Sequence, residues 1–301
     1  MRNCFYVIPD LFRDQLKIKL NEKEICMKWN GLFAAFSLVA LSLFAAGCSD
    51  NDVAGGSSGD MGFTAVVNKK IAGVTQKGPF VKGSSIVLKE VSADRNLEPT
   101  GREFFAMTRS SKGDFKIDSL NLVSQYVRLT ATGYYERETT GKNSECQISL
   151  NALSDISYRD TVNINVLTHL EFGRTIRLIK DGKTYDDAKK QAYGELMKLF
   201  HYDELYENAE NLDITHDGEA DKALKNISSF IDFYSYSCFP NLIHGYVNDH
   251  DVSCVEIGKE HERYCSEIQE FIDNIANTFA SSGKFPEELE QFVEEWFERR
   301  N

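Results

Sequence analysis

Two stretches of the chain carry side chains of the kind that bind metal ions. Residues 213–221 (DITHDGEAD) place side-chain oxygens at positions 1, 3 and 5 and a glycine at position 6, the order of a calcium-binding loop. Position 12 is Leu224, where a bidentate glutamate is needed, so we favour capping of a following helix by these acidic residues. The second stretch spaces its ligands too loosely to predict a site, and comprises His244, Asp249, His250 and His261. The sequence therefore predicts no metal ion and no cofactor.

The cysteines offer a different chemistry. Cys48 follows an uncharged apolar run, residues 32–46, which is too short to span a membrane and suits the hydrophobic region of a signal peptide. Four more cysteines come later, and their spacing lacks the close pairs of a zinc site: Cys146, Cys238, Cys254 and Cys265. In an exported chain they predict disulfides. Three pairings are possible, and proximity favours a bridge among the last three cysteines.

The residues around Cys48 resemble a known processing site. Ala45-Ala46-Gly47-Cys48 is similar to the bacterial lipobox, although Ala45 stands where leucine is commonest. The resemblance implies that diacylglycerol is added to the Cys48 thiol and that the mature N-terminus carries three acyl chains, which anchor a protein stably. The alternative is an ordinary secretory peptide with an incidental cysteine.

The segments before and after Cys48 indicate where in the cell the protein is expected. We interpret residues 1–26 as an upstream extension that is not native, with residues 27–47 as the lipoprotein signal peptide; an unusually long charged start is the alternative. Residues 48–62 are rich in Gly, Ser and Asp, which predicts a flexible tether. The tether opens like the acidic tract that sends some lipoproteins of fibre-degrading gut bacteria to the cell surface; a merely solvated tether is the alternative. We expect an outer-membrane location, at the cell surface if that tract is functional.

The charge of the chain excludes one class of partner. The whole sequence carries −12, and residues 1–47 contribute six basic and four acidic residues, or +2, so the mature part carries −14. Nucleic-acid binding relies on neutralising phosphates with Lys and Arg, so this balance disfavours nucleic acid. It also disfavours adhesion to anionic lipid.

Residues 63–162 predict an antiparallel β-sandwich. Short segments of alternating polarity are separated by turn residues, at 64–67, 71–74, 85–91, 104–107, 114–117, 126–131, 146–150 and 161–166. Residues 71–135 resemble carboxypeptidase-regulatory-like domains through Ile71-x-Gly73-Val74, Gly83-Ser84, Gly113-x-Phe115-x-Ile117 and Gly133-Tyr134. The resemblance implies a transthyretin-like sandwich without catalysis that acts as a spacer or interaction module. Tyr134 and Tyr135 are either a patch for stacking on sugars or, as we favour, core packing of Tyr134 with Tyr135 at an edge.

Residues 163–301 change to helical periodicity. Five amphipathic helices are predicted at 166–180, 184–199, 220–234, 262–279 and 286–297, enough for a small bundle. His169, near the start of the first, is interpreted as structural. This β-then-helix order is similar to paralogous lipoproteins of fibre-degrading gut bacteria, whose function is unassigned.

The sequence thus predicts an α+β protein, an antiparallel β-sandwich followed by a small α-helical bundle. We predict no catalytic residues. The expected function is that of a membrane-anchored, non-catalytic binding module at the cell envelope, with a polysaccharide or an envelope protein as its partner. The alternatives are a purely structural envelope protein and, less favoured, a hydrolase acting on polysaccharide.

Overall fold

Strands precede helices along the chain, in a computed structural model that describes residues 62–237 and 264–298. The seven strands of the described part are β1 (Val66–Gln76), β2 (Ser85–Val91), β3 (Pro99–Met107), β4 (Asp114–Leu122), β5 (Tyr126–Gly133), β6 (Ile148–Asp155) and β7 (Ile164–Asn165). Its α-helices are α1 (Val166–Lys180), α2 (Tyr185–Leu199), α3 (Glu219–Ser237), α4 (Tyr264–Ser282) and α5 (Glu287–Glu298), with a 3₁₀ turn at Ala209–Asn211.

The strands form two sheets. The four-stranded sheet has the order β3-β2-β5-β6 and is antiparallel throughout. The three-stranded sheet has the order β4-β1-β7, in which β1 pairs antiparallel with β4 and parallel with β7. The predicted fold class is confirmed: the chain is a mixed α+β protein with a sandwich-like pair of sheets and a helical C-terminal part.

Alternating side chains explain the central strand pair. Ile86 and Leu88 of β2 are buried and lie opposite Ala131 and Leu129 of β5, which are buried as well. The intervening side chains point to the other face, because successive residues of a strand alternate. Between β3 and β4, Gly113 has a φ of +75°, and an added Cβ would lie 2.4 Å from the Thr75 carbonyl oxygen. This turn therefore requires glycine.

The change from strand to helix occurs at Asn165, as the periodicity predicts. The Asn165 side chain accepts a hydrogen bond from the Thr168 amide at 3.0 Å, and the Thr168 hydroxyl accepts one from the Asn165 amide at 2.9 Å. This reciprocal capping box satisfies two amides that the first turn leaves unpaired. Helix α1 ends at Lys180, and Thr184 caps α2 through the Asp187 amide at 3.2 Å.

The predicted segments 104–107, 114–117 and 146–150 differ in their bounds from β3, β4 and β6, and two further predictions are wrong in kind. The segments 64–67 and 71–74 belong to one strand, β1, whose register against β4 shifts between Val66 and Ile71. A bulge of this kind interrupts the alternation of polar and apolar residues by which a strand is recognised in sequence. One strand is therefore predicted as two. The segment 161–166 contains only the two-residue strand β7, because Val166 already begins α1.

One apolar cluster joins the sheets to the helices. It includes Ile86 and Leu129 from the sheet, and Leu170, Ile272 and Phe297 from the helices. The described residues lie within one compact unit. The boundary at 162/163 stays a prediction, as do the other predicted boundaries. No helix in the described ranges is both long and apolar enough to cross a membrane.

Candidate binding face

One face of the four-stranded sheet is partly exposed to solvent. On its edge strand β3, Phe105 is 71% exposed and Met107 is 66% exposed. Phe105 lies opposite Val87, and Met107 lies opposite Ser85. We call this surface the binding face, and define it by Ser85, Val87, Phe105, Met107, Thr130, Thr132, Ser149 and Asn151, which the strand registers bring side by side.

The polarity of the face changes from β3 to β6. Across the strands, Val87 pairs with Thr130, and Thr130 pairs with Asn151. In the neighbouring set of pairs, Ser85 lies opposite Thr132, and Thr132 lies opposite Ser149. The Thr132 and Ser149 hydroxyls lie 2.8 Å apart. An apolar edge therefore merges into a strip of hydroxyl and amide groups.

Asn151 connects this strip to the helices. Its side-chain oxygen accepts from the Thr130 hydroxyl at 2.9 Å and from Nη2 of Arg128 at 3.0 Å. Its backbone amide donates to Nδ1 of His169 on α1 at 3.2 Å. Because Nδ1 accepts, the proton of a neutral ring is on Nε2, which lies 3.1 Å from Asp273 Oδ1 on α4.

Gln269 closes the free edge of β6. The Ser149 amide donates to Gln269 Oε1 at 2.6 Å, and Gln269 Nε2 donates to the Ser149 carbonyl at 3.2 Å. One side chain thus satisfies a donor and an acceptor that a further strand would otherwise pair. Gln269 Nε2 also donates to Asp273 Oδ1 at 3.0 Å, which ties it to the same network.

Helix α4 carries an open groove beside this network. The groove has a volume of about 580 Å³ and is lined by Gln269, Glu270, Asp273, Asn274 and Asn277. These side chains end in amides, which donate and accept hydrogen bonds, or in carboxylates, which accept them, although most of the exposed lining of the groove is apolar. Gln269 and Asp273 belong to both the groove and the network, so the two features are continuous.

Asp273 is held in its charged form. Partial burial raises the pKa of a carboxyl group, but the hydrogen bonds from His169 and Gln269 outweigh it, so the pKa of Asp273 is lowered. The positive charge of Arg128 lies nearby and stacks on Phe172 with its guanidinium 4.9 Å from the ring centre. Charged groups thus lie beside the apolar, hydroxyl and amide groups of the binding face, with Arg128 on β5 and Asp273 on α4.

His169 has no free ring nitrogen in this network. Both ring nitrogens of His169 are already engaged, with the Asn151 amide and with Asp273. The Ser149 hydroxyl is paired with Thr132 rather than with a base. Nucleophilic catalysis needs a hydroxyl or thiol within hydrogen-bond reach of a free base, and His169 supplies none.

A second polar group, the Lys189 cluster, is buried between α1, α2 and the 3₁₀ turn. Lys189 Nζ lies 2.5 Å from Glu171 Oε1 and 3.2 Å from Glu210 Oε2, and Arg159 approaches Glu210 at 3.4 Å. Burial and the nearby Glu210 charge raise the pKa of Glu171 to about 7, against the attraction of Lys189. Burial lowers the pKa of Lys189, but its two carboxylate partners outweigh this and raise it. Two cations thus balance two carboxylates inside the protein.

A third group, the Lys77 cluster, fastens the end of β1 to α3. Lys77 Nζ lies 3.0 Å from Glu138 Oε2 and donates to the Ser228 carbonyl at 2.9 Å. Asp232 pairs with Arg137 at 3.1 Å and lies 3.8 Å from Lys77. Burial raises the pKa of Glu138 despite the attraction of Lys77. Neither this cluster nor the Lys189 cluster reaches the binding face.

Most of the predicted cysteine and histidine sites fall outside the described residues. This holds for the predicted lipidation site and for two of the disulfide candidates, together with the loose metal-ligand group: Cys48, Cys238, Cys254, His244, Asp249, His250 and His261. Cys265 lies in the first turn of α4, but its side chain is outside the described part. Cys146 is disulfide-bonded. The pairing stays a prediction.

The acidic loop at 213–221 is organised by its own hydrogen bonds. Asp213 Oδ1 accepts from Gln76 Nε2 at 2.7 Å and from the Thr215 amide at 2.9 Å, and the Asp213 amide donates to Asp221 at 2.8 Å. These bonds occupy one carboxylate oxygen of Asp213 and one of Asp221. Within residues 62–237 and 264–298, no group of three or more His, Cys, Asp or Glu side chains is arranged to hold a metal ion.

The expected roles of two tyrosines are reversed. Tyr135 is fully buried, 6.2 Å from Phe80 between ring centres and under the Lys77 ammonium, whereas Tyr134 is 40% exposed. Strand β5 ends at Gly133, so the alternation of the strand no longer decides which of the next two side chains faces inward.

Comparison of the chain with protein-family models, with curated proteins and with solved structures finds no match. The lipoprotein and regulatory-domain resemblances are therefore carried by the sequence motifs alone. Sequence reasoning missed the role of Asn151 and Gln269, which have no motif. His169 was placed correctly in its helix, but its partners come from residues 18 and 104 positions away.

Proposed function

We propose that this chain is a lipid-anchored envelope protein whose sandwich and helices form a non-catalytic binding module. The binding face supports this role most directly, because exposed Phe105 and Met107 stand beside a strip of hydroxyl and amide side chains. The anchor rests on the lipobox-like motif at Cys48 and the predicted tether at 48–62.

The chemistry of the face favours a neutral polysaccharide. Sugar rings present apolar C–H faces and a periphery of hydroxyls, so they match an apolar edge next to hydrogen-bonding groups. The mature chain carries −14 by the count above, which disfavours an anionic polymer through like-charge repulsion. The groove on α4 shares Gln269 and Asp273 with the Asn151 network and adds a mostly apolar surface beside it.

Affinity electrophoresis through gels containing β-glucan, xylan or mannan tests the ligand. We expect at least one of these polymers to retard the protein, and the variant Phe105→Ala to weaken retardation about tenfold, as loss of a central aromatic contact does. The matched control is Tyr206→Ala, since Tyr206 is 78% exposed and lies outside the binding face. No retardation by any polymer, or equal effects of the two variants, would contradict the polysaccharide assignment. The purely structural alternative would then be favoured.

Protease treatment of intact cells tests the anchor separately. We expect the wild-type protein to be cleaved at the cell surface, and the variant Cys48→Ala to be released from the membrane fraction. Protection until the outer membrane is permeabilised would place the partners in the periplasm. Retention of Cys48→Ala in the membrane would contradict the lipid anchor.

A further inference from the structure

An exposed apolar patch lies where the predicted tether meets the folded protein. Phe63, Val67 and Val123 are 66%, 78% and 51% exposed, and Ala65 between the first two is exposed as well. We call these four side chains the basal patch. Single exposed apolar side chains are common on protein surfaces, whereas a group of them close together often marks an interaction site.

Strand pairing places these side chains at one end of the three-stranded sheet. Val66 of β1 pairs with Leu122 of β4, and both are buried. Val67 follows Val66 in β1 and points to the opposite face of the sheet, and Val123 directly follows the last residue of β4. Phe63 and Ala65 lie in the exposed segment that leads into β1.

The polar rim of the basal patch contains amide groups and two basic side chains. The Asn68 amide donates to Asn121 Oδ1 at 3.0 Å, and Arg102 Nη1 donates to the Asn121 carbonyl at 3.0 Å. Lys70 follows on β1 and is exposed. Arg102 also lies 3.7 Å from the buried Glu90 carboxylate, which accepts a hydrogen bond from the Val123 amide. Amide groups, a paired arginine and Lys70 therefore border the patch. Basic and amide groups next to apolar side chains suit the headgroup layer of a lipid bilayer.

The position of the patch identifies its partner. Only 13 residues separate Cys48 from Gly62, the first described residue. A Gly- and Ser-rich chain of this length has a root-mean-square span of about 20 Å. A protein anchored at Cys48 would thus hold the basal patch close to the bilayer at high effective concentration, so that even a weak contact is populated.

We infer that the basal patch docks on the bilayer to which the chain is anchored, with Phe63 and Val67 inserted at the headgroup level. This inference rests on the proposed anchor at Cys48. It adds an orientation to that anchor, because it fixes the start of β1 and the end of β4 against the membrane. A second copy of the chain is the competing occupant.

Quenching of tryptophan fluorescence by brominated phosphatidylcholine tests this orientation, since bromine quenches only at short range. The lipidated full chain carrying Phe63→Trp is reconstituted in vesicles and compared with Phe105→Trp, which introduces a tryptophan at a similarly exposed position on another face. Trp296 is common to both variants and serves as the internal background, since Trp29 lies in the predicted signal peptide. We expect quenching in the Phe63→Trp protein to exceed that in the Phe105→Trp protein by about threefold, and Val67→Ser to reduce it.

The outcomes separate the inference from the proposed function. Protein that floats with the vesicles but shows equal or no quenching in the two variants keeps the anchor and overturns docking of the basal patch. Protein that does not float overturns the anchor and the inference together. A dimer in sedimentation that Val67→Ser dissociates, without selective quenching, assigns the patch to a second copy and also overturns membrane docking.

Discussion

The Lys189 cluster and the network around Asn151 both contain hydrogen-bonded carboxylates. Folding raises the pKa of a carboxyl group in the first and lowers the pKa of a carboxyl group in the second. In the Lys189 cluster, two carboxylates and two cations are withdrawn from water, and the pKa of Glu171 is raised to about 7. In the Asn151 network, one carboxylate remains partly exposed at Asp273 and its pKa is lowered. Burial on all sides makes an ion group structural, whereas a hydrogen-bonded network with an open side keeps polar groups available to a ligand.

The largest effect is expected from removing one partner of the buried cluster. Lys189→Met leaves Glu171 and Glu210 without their shared cation, so we expect the free energy of unfolding to fall by about 3–5 kcal/mol. Lys190→Met, at the exposed neighbouring position, should change it by less than about 0.5 kcal/mol. Urea unfolding measures both. A small effect of Lys189→Met would show that the cluster contributes little to holding α1 against α2.

The second prediction concerns pH. The pKa of Glu171 is about 7 in the folded protein and about 4.5 in the unfolded chain, so the folded state binds this proton more tightly. The resulting stabilisation is fully present below about pH 4.5 and is lost as the pH rises through about 7. Relative to Glu171→Gln, the wild type should lose about 2 kcal/mol of unfolding free energy between pH 5 and pH 8. Urea titrations at both pH values measure it, and parallel pH profiles would contradict it.

A smaller effect is expected at the open network. Asp273→Asn keeps an acceptor for His169 but removes the charge, and the carboxylate is partly solvated, so we expect a loss of about 0.5–1 kcal/mol at pH 7. Because the pKa of Asp273 is lowered on folding, its contribution is present above the ordinary carboxyl pKa and disappears as the pH falls through the lowered value. Thermal unfolding at pH 7 and at pH 3 tests this, with the exposed Asn274→Ala as control. A loss at pH 3 as large as at pH 7 would contradict the charge-based explanation.

The smallest effect on stability is expected on the binding face itself. Phe105→Ser removes an exposed side chain and should change the free energy of unfolding by less than about 0.5 kcal/mol. The same substitution should weaken about tenfold the retardation by a polysaccharide that the wild type binds, as Phe105→Ala does. Denaturation and affinity electrophoresis on one protein preparation make this comparison, and a large loss of stability would show that Phe105 packs in the core instead.

The sequence alone determined the local structure where a signal is local. The start of α1 is read from the change of period after Asn165, and the end from Asp181-Gly182, because caps and turns act over three or four residues. Strand β2 was predicted with its observed bounds for the same reason, since burial alternates along it. The α+β class follows from these elements, and so does their order.

Tertiary structure decided everything that joins distant residues. The bulge in β1 and the inward turn of Tyr135 depend on partners across the sheet, so periodicity misread both. The Asn151–His169–Asp273 network unites β6, α1 and α4, and no spacing in the sequence encodes it. The pKa of Glu171 likewise depends on how fully folding removes water from it. Burial and long-range pairing are properties of the packed chain, which is why they appear only once the helices lie against the sheets.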